Sequence, residues 1–89
     1  MKIVIISALW CPSCLKMGKI YKQLKDEFEN IEFISYDLDF DEEEVQKYNP
    51  GDTLPILIVL NNEIELKRVV GEYTKEELIT EIRSILNEK

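Results

Sequence analysis

Ile3-Val4-Ile5-Ile6-Ser7-Ala8-Leu9-Trp10-Cys11-Pro12-Ser13-Cys14 joins two signals in one short stretch. Its first half is a continuous β-branched run bounded by small residues, the pattern of a strand buried on both faces in the middle of a helix-covered sheet. Its second half is a C-x-x-C pair that opens a stretch with helical periodicity, so the first thiol falls at a helix N-terminus. Free N–H groups and the positive dipole end gather there and favour a thiolate. Two cysteines at this spacing can also close a small disulfide ring, and a lowered Cys11 pKa is expected.

Downstream, Cys14, Met17, Tyr21, Leu24 and Phe28 recur three and four apart and form the buried face of a first helix. Pro12 is tolerated in its first turn, and Asn30 marks its end. Gly18 lies inside this helix at a cost of about 1 kcal/mol relative to Ala, for which close packing on the sheet is the expected reason. Residues 31–38 read as a second strand, and a helix between two strands implies a parallel right-handed crossover. Asp41 with Glu44 three positions on predicts a capped helix ending by Asn49-Pro50-Gly51, with Phe40 and Val45 as its hydrophobic staple.

Residues 56–60 form a third strand and residues 64–70 a fourth, antiparallel across a two-residue turn placed at Asn61-Asn62, since Asn tolerates positive φ. Gly71 breaks the strand. Thr74-Lys75-Glu76-Glu77 is a capping box, stapled by Tyr73 and Leu78, ahead of a helix burying Leu78, Ile82, Ile85 and Leu86. The order β-α-β-α-β-β-α predicts an α/β protein with a mixed four-stranded sheet flanked by helices.

At 89 residues the chain reads as one domain, residues 1–89, burying roughly 60% of its unfolded surface. With 45% apolar and 33% charged residues, 3 Gly and 3 Pro, it is globular in composition rather than disordered or fibrous. Two cysteines are too few for a disulfide scaffold, and their spacing closes almost no chain, so the pair is chemical rather than structural. The net charge of -7 disfavours nucleic acid, which needs a basic face. The one basic series, Lys16, Lys19, Lys22 and Lys25, reads as a solvated helix face. Asp37, Asp39 and Asp41 have the opening spacing of a calcium loop, but Glu42 stands where Gly is required and Tyr48 where the bidentate Glu belongs. They read as acids at a strand end and a helix start.

Lys2 and the apolar run after it imitate a secretion signal, but the run is short, and cleavage near Ala8 would remove the strand that positions the thiols. Trp10 also stands where lipoprotein processing at Cys11 would need a small residue. No stretch has the length of a membrane span. A cytoplasmic monomer is expected, in which a C-x-x-C is catalytic or metal-binding rather than a permanent bridge.

Trp-Cys-x-x-Cys after a first strand, joined to Thr53-Leu54-Pro55 before a third and a Gly ending the fourth, resembles the thioredoxin superfamily in a short form covering essentially the whole chain. The resemblance implies a minimal thioredoxin fold and thiol–disulfide oxidoreductase activity with no cofactor besides the Cys11–Cys14 disulfide. It implies that Cys11 is the nucleophile and Cys14, one helical turn deeper and protected, the resolving thiol. It makes Pro55 a cis-proline facing the disulfide, with Leu54 offering backbone groups to an extended substrate. A Pro at a strand entrance fits, because it has no ladder N–H to donate. It sets Trp10 at the lip of the site and Val70 and Gly71 in the groove wall, with Pro12, Ser13 and Thr53 also facing substrate. The Ser13 and Cys14 amides and the Ser13 hydroxyl are then the local donors to the thiolate.

Thioredoxins carry a buried acid six positions before the first cysteine, and here that position is Ile5, so proton handling must differ. Glutaredoxins lack that acid and often place Pro after the first cysteine, as Pro12 is placed. Their Gly-Gly-x-Asp glutathione signature is replaced here by Val70-Gly71-Glu72-Tyr73-Thr74, although Lys16 offers a cation for a glutathione carboxylate. The expected partners are protein disulfides and an upstream reductase, with a glutathione-dependent glutaredoxin as the alternative. A metal-binding C-x-x-C module needs two more ligands than the chain supplies, hence a dimer sharing two pairs. No resident metal, nucleic acid or membrane partner is expected.

Overall fold

The computed structural model describes residues 1–87, in the order β1 (Lys2–Ser7), α1 (Pro12–Glu27), β2 (Glu32–Asp37), α2 (Glu42–Gln46), β3 (Ile56–Asn61), β4 (Ile64–Val70) and α3 (Lys75–Asn87). The strands lie in the order β2-β1-β3-β4. β1 pairs parallel with β2, setting Ile5 opposite Ser35, and antiparallel with β3, which pairs antiparallel with β4. The sheet is mixed, and β1 is central, as its apolar run requires.

Alternation along the strands sorts the core into two layers. Ile3 and Ile5, with Leu57, Val59 and Val69, meet Met17, Leu24 and Phe28 of the first helix side and Leu78 and Ile82 of α3. Val4 and Ile6, with Ile56, Ile58 and Leu60, meet Val45 of α2 on the other face. Burying one such side chain fully is worth roughly 1.5–3 kcal/mol, more than the ~1 kcal/mol span of strand propensity, so burial rather than local preference fixes β1 and β3.

Local chemistry sets the ends. The α3 capping box forms reciprocally: Thr74 N–H donates to Glu77 Oε1 at 2.9 Å, and Glu77 N–H donates to Thr74 Oγ1 at 3.1 Å. At α2 the box does not form. Asp41 is the N-cap residue but makes no side-chain cap bond, because its Oδ2 accepts the Asp37 N–H at 2.9 Å instead. Phe40 is 76% exposed and does not act as a staple, leaving Val45 to anchor the helix alone. α1 closes earlier than Asn30, with Phe28 as C-cap and its N–H donated to Leu24.

The β3–β4 turn lies one residue later than its sequence suggested. Asn61 stays in the ladder opposite Ile64, and Asn62 and Glu63 take φ of 53° and 68°, the two positive values of a type I′ hairpin. A register shift between Val59 and Leu60 leaves Leu66 as an extra, bulged residue on β4. Gly18 is not a packing glycine: it is exposed, and a Cβ built there meets nothing within 4 Å.

Candidate active site

Cys11 caps α1. Its backbone is extended (φ -93°, ψ 112°), its C=O accepts the Leu15 N–H at 3.2 Å, and its Sγ accepts the Cys14 N–H at 3.3 Å. The sulfur thus satisfies one of the donors every helix start leaves free, a role usually taken by Ser, Thr, Asp or Asn. Pro12 follows at the helix start, where its missing N–H costs nothing. Cys14 lies one turn on, and both residues are free thiols.

The sequence protects Cys14 more than Cys11, whereas the structure shields them alike, at 6% and 7% exposure. The reason is a shared apolar wrap of Ala8, Leu38 and Leu54. Burial, then the hydrogen bond with the Cys11 sulfur, pushes the Cys14 thiol up from 9.0 to about 11, against a backbone bond at Ala8 that pulls it down. Burial, followed by the two cysteine sulfurs, likewise pushes the Tyr21 phenol up.

The opposite wall comes from the strand entrance. The Leu54–Pro55 peptide bond is cis, Pro55 is buried, and its C=O accepts the N–H of Gly71 at 2.9 Å. Gly71 has φ +94°, a conformation other residues rarely hold, so the strand can turn away there toward α3. Leu54 packs this wall against the cluster that holds both cysteines. Among the described residues its N–H and C=O take part in no backbone hydrogen bond. Thr53 and Val70 are exposed and stand outside the apolar cluster around the sulfurs.

Three placements were beyond sequence reasoning. Trp10 is 63% exposed, and its indole N–H donates to Asp39 Oδ2 at 2.7 Å, fixing the ring across the loop after β2. Ser13 does not turn to the thiols: its hydroxyl donates to Glu72 Oε2 at 2.7 Å. The other Glu72 oxygen faces Lys16 Nζ at 3.3 Å, so one carboxylate ties the start of α1 to the loop after β4. The Ser13 bond, then Lys16, holds the Glu72 carboxyl below its ordinary pKa. Pairs 29 and 59 positions apart leave no local mark in a sequence.

The acids at the end of β2 and the start of α2, whose opening spacing only resembles a calcium loop, brace the chain around them. Asp37 Oδ1 accepts the N–H groups of Asp39 and Phe40 at 2.8 and 3.2 Å, Asp41 reaches back to Asp37, and Asp39 holds Trp10. Among the described residues no three His, Cys, Asp or Glu side chains converge as a metal site would need, and no helix is long and apolar enough to cross a membrane.

A family model described as Thioredoxin matches residues 1–84. The thioredoxin of Mycoplasma genitalium is 30% identical over 77 residues, covering 86% of this chain and 74% of that protein. Among solved structures, thioredoxin from Trypanosoma brucei brucei superposes with a TM-score of 0.87 at 24% identity, covering 98% of this chain and 75% of the other. Fasciola hepatica thioredoxin gives 0.81 at 26% identity, covering 92% and 78%.

Proposed function

The chain belongs to the thioredoxin family and is a thiol–disulfide oxidoreductase, and on that premise we propose that it reduces protein disulfides by dithiol exchange. Cys11, as thiolate, attacks a substrate disulfide and forms a mixed disulfide. Cys14 then attacks Cys11, expels the reduced substrate and leaves a Cys11–Cys14 bridge, which an upstream reductase reopens with two electrons. An extended peptide fits this scheme: the unpaired backbone groups of Leu54 can pair with its strand, and Trp10 and Val70 offer exposed apolar contact.

The observation that carries the choice of protein over glutathione is Glu72. Its carboxylate stands directly after the Gly71 wall and already occupies Lys16, the cation nearest the helix start that could have held a glutathione carboxylate. The -7 net charge works in the same direction against an anionic tripeptide. Pro12 after the first cysteine favours the second reading, a glutathione-dependent enzyme. The two separate on turnover of a protein disulfide driven by a thioredoxin reductase, compared with turnover of a glutathione mixed disulfide driven by glutathione and its reductase. Protein-disulfide turnover is expected to dominate, and efficient catalysis in the glutathione system alone would overturn the reading.

A further inference from the structure

Behind the thiols, between α1 and the β1–β2 edge of the sheet, lies an open groove of about 320 Å³. Cys14 is part of its lining. Three small residues keep it open: Ser7 at the end of β1, Ser35 on β2 and Gly18 on α1, with Tyr21 and Lys22 beside them. Ser7 and Ser35 lie two residues apart in the parallel register and share the sheet face that Ile5 and Phe33 present to α1. Where that face could have carried another branched apolar residue, it carries two serines that line the same groove as Cys14. Gly18 costs its helix about 1 kcal/mol and packs against nothing, so no packing demand accounts for it.

We propose that this groove is the proton exit of the resolving thiol. The proposal rests on Cys14 being the resolver. In the second half-reaction the Cys14 S–H bond breaks and its proton passes to water in the groove and on to solvent. The sulfur's electron pair forms the bond to Cys11 Sγ, the bond between Cys11 and the substrate sulfur breaks, and the departing thiolate takes a proton from solvent. Two electrons move from the dithiol to the substrate. A volume of about 320 Å³ exceeds many times over the roughly 10–15 Å³ that one water requires.

The charged and titratable groups around the thiol are Cys11, Tyr21, Lys22 and Lys25 on the α1 side and Asp37 at the end of β2, whereas β1 contributes only Ile5 and Ser7. Tyr21 is held protonated and is no base. Lys22 and Lys25, as cations on the groove, favour departure of a proton. Among the described residues Asp37 is the carboxylate that comes nearest to being a rival acceptor, and its Oδ1 is already engaged by two backbone N–H groups.

The test fills the groove from either wall. In Gly18→Leu the new side chain grows from an exposed helical position into space that a Cβ enters freely, and Ser35→Leu fills from β2; far-UV circular dichroism checks both folds. Reduced protein is mixed rapidly with a protein disulfide, acid-quenched, and the mixed disulfide and product are separated. Both fillings are expected to slow resolution by at least about tenfold near pH 7, short of the roughly 100-fold that marks the lower end for a proton-transfer path removed outright, since each closes the groove from one wall only. The deficit should shrink as pH rises, because a thiol whose burial holds its pKa above the ordinary value then ionises without help. First attack, followed in a Cys14→Ser background, is expected to keep its rate, and Asp37→Asn is expected to resolve normally. Wild-type resolution in both filled variants, or a loss carried by Asp37→Asn, would overturn the groove. Failure of Cys14→Ser to accumulate the mixed disulfide would instead overturn the resolver assignment beneath it.

Discussion

At the residue scale the two cysteines are shielded alike, and what marks Cys14 is the cost of ionising its own buried thiol. With its pKa at about 11, Cys14 is thiolate in only about one molecule in ten thousand at pH 7. Alkylation of the reduced protein at neutral pH should therefore label Cys11 first, and peptide mapping that finds Cys14 labelled first would refute the roles assigned to the pair. The same shift sets a sign for stability. A thiol raised from 9.0 to about 11 on folding is bound to its proton more firmly in the native state, so its contribution is complete below pH 9 and is lost as pH rises through about 11. Chemical denaturation across that window should show native stability falling with pH, and Cys14→Ser should remove that part of the slope. Glu72 makes the other residue-scale prediction: Glu72→Ala frees Lys16 and the Ser13 hydroxyl, so turnover of a glutathione mixed disulfide should rise relative to a protein disulfide. An unchanged ratio would mean the carboxylate does not govern substrate choice. The sequence exposed the cysteines, because their spacing is local, and concealed Glu72, because its partners lie on another element.

Elements were legible wherever their own residues settle them. The reciprocal bonds of Thr74 and Glu77 were readable as a four-residue motif, and Thr74→Ala should cost about 1 kcal/mol, seen as a lower denaturation midpoint with an unchanged slope. The same motif at Asp41 and Glu44 failed because tertiary geometry intervened. Asp41 could satisfy its own helix or the Asp37 N–H at the end of β2, and the second bond formed. The hairpin slipped by one position for a related reason: keeping Asn61 in the ladder opposite Ile64 saves a pairing, and Glu63 accepts a positive φ in return. Gly18 shows the limit of propensity as an argument. Its cost was readable and its reason was not, since an open groove is visible only when the sheet is assembled. Gly18→Ala should add about 0.5–1 kcal/mol of stability, read as a higher denaturation midpoint. A destabilised Gly18→Ala would mean that the helix face tolerates no Cβ after all.

Over the whole molecule, the alternation of Ile3 to Ile6 between the two layers made the α/β arrangement readable, whereas the fastening of the exposed edge was not. β4 is exposed over most of its length, and a bare edge invites pairing with another chain. Here it carries charge that reaches each helix layer. Arg68 donates to the Tyr48 and Asn49 carbonyls just beyond α2 and to Glu65 beside it, Lys67 pairs with Glu81 of α3 at 3.1 Å, and Glu72, just past the strand, reaches α1. These ties are unequal. The Lys67–Glu81 pair is solvated on both sides, and exposed pairs contribute about 0–1 kcal/mol. Arg68 has a side chain 25% exposed and closes off two carbonyls left without helical partners where the chain leaves α2, a geometry that a planar, forked donor matches and an ammonium does not. Arg68→Met, which keeps the apolar stem, should therefore cost about 1.5–3 kcal/mol, the range for hydrogen bonds to a charged group. Lys67→Met should stay within about 0.5 kcal/mol, as surface substitutions usually do. Arg68→Lys should recover only part of the loss. Urea denaturation of the three variants ranks them directly, and equal costs for Arg68→Met and Lys67→Met would show that the edge strand is held by its ladder with β3 and not by the arginine.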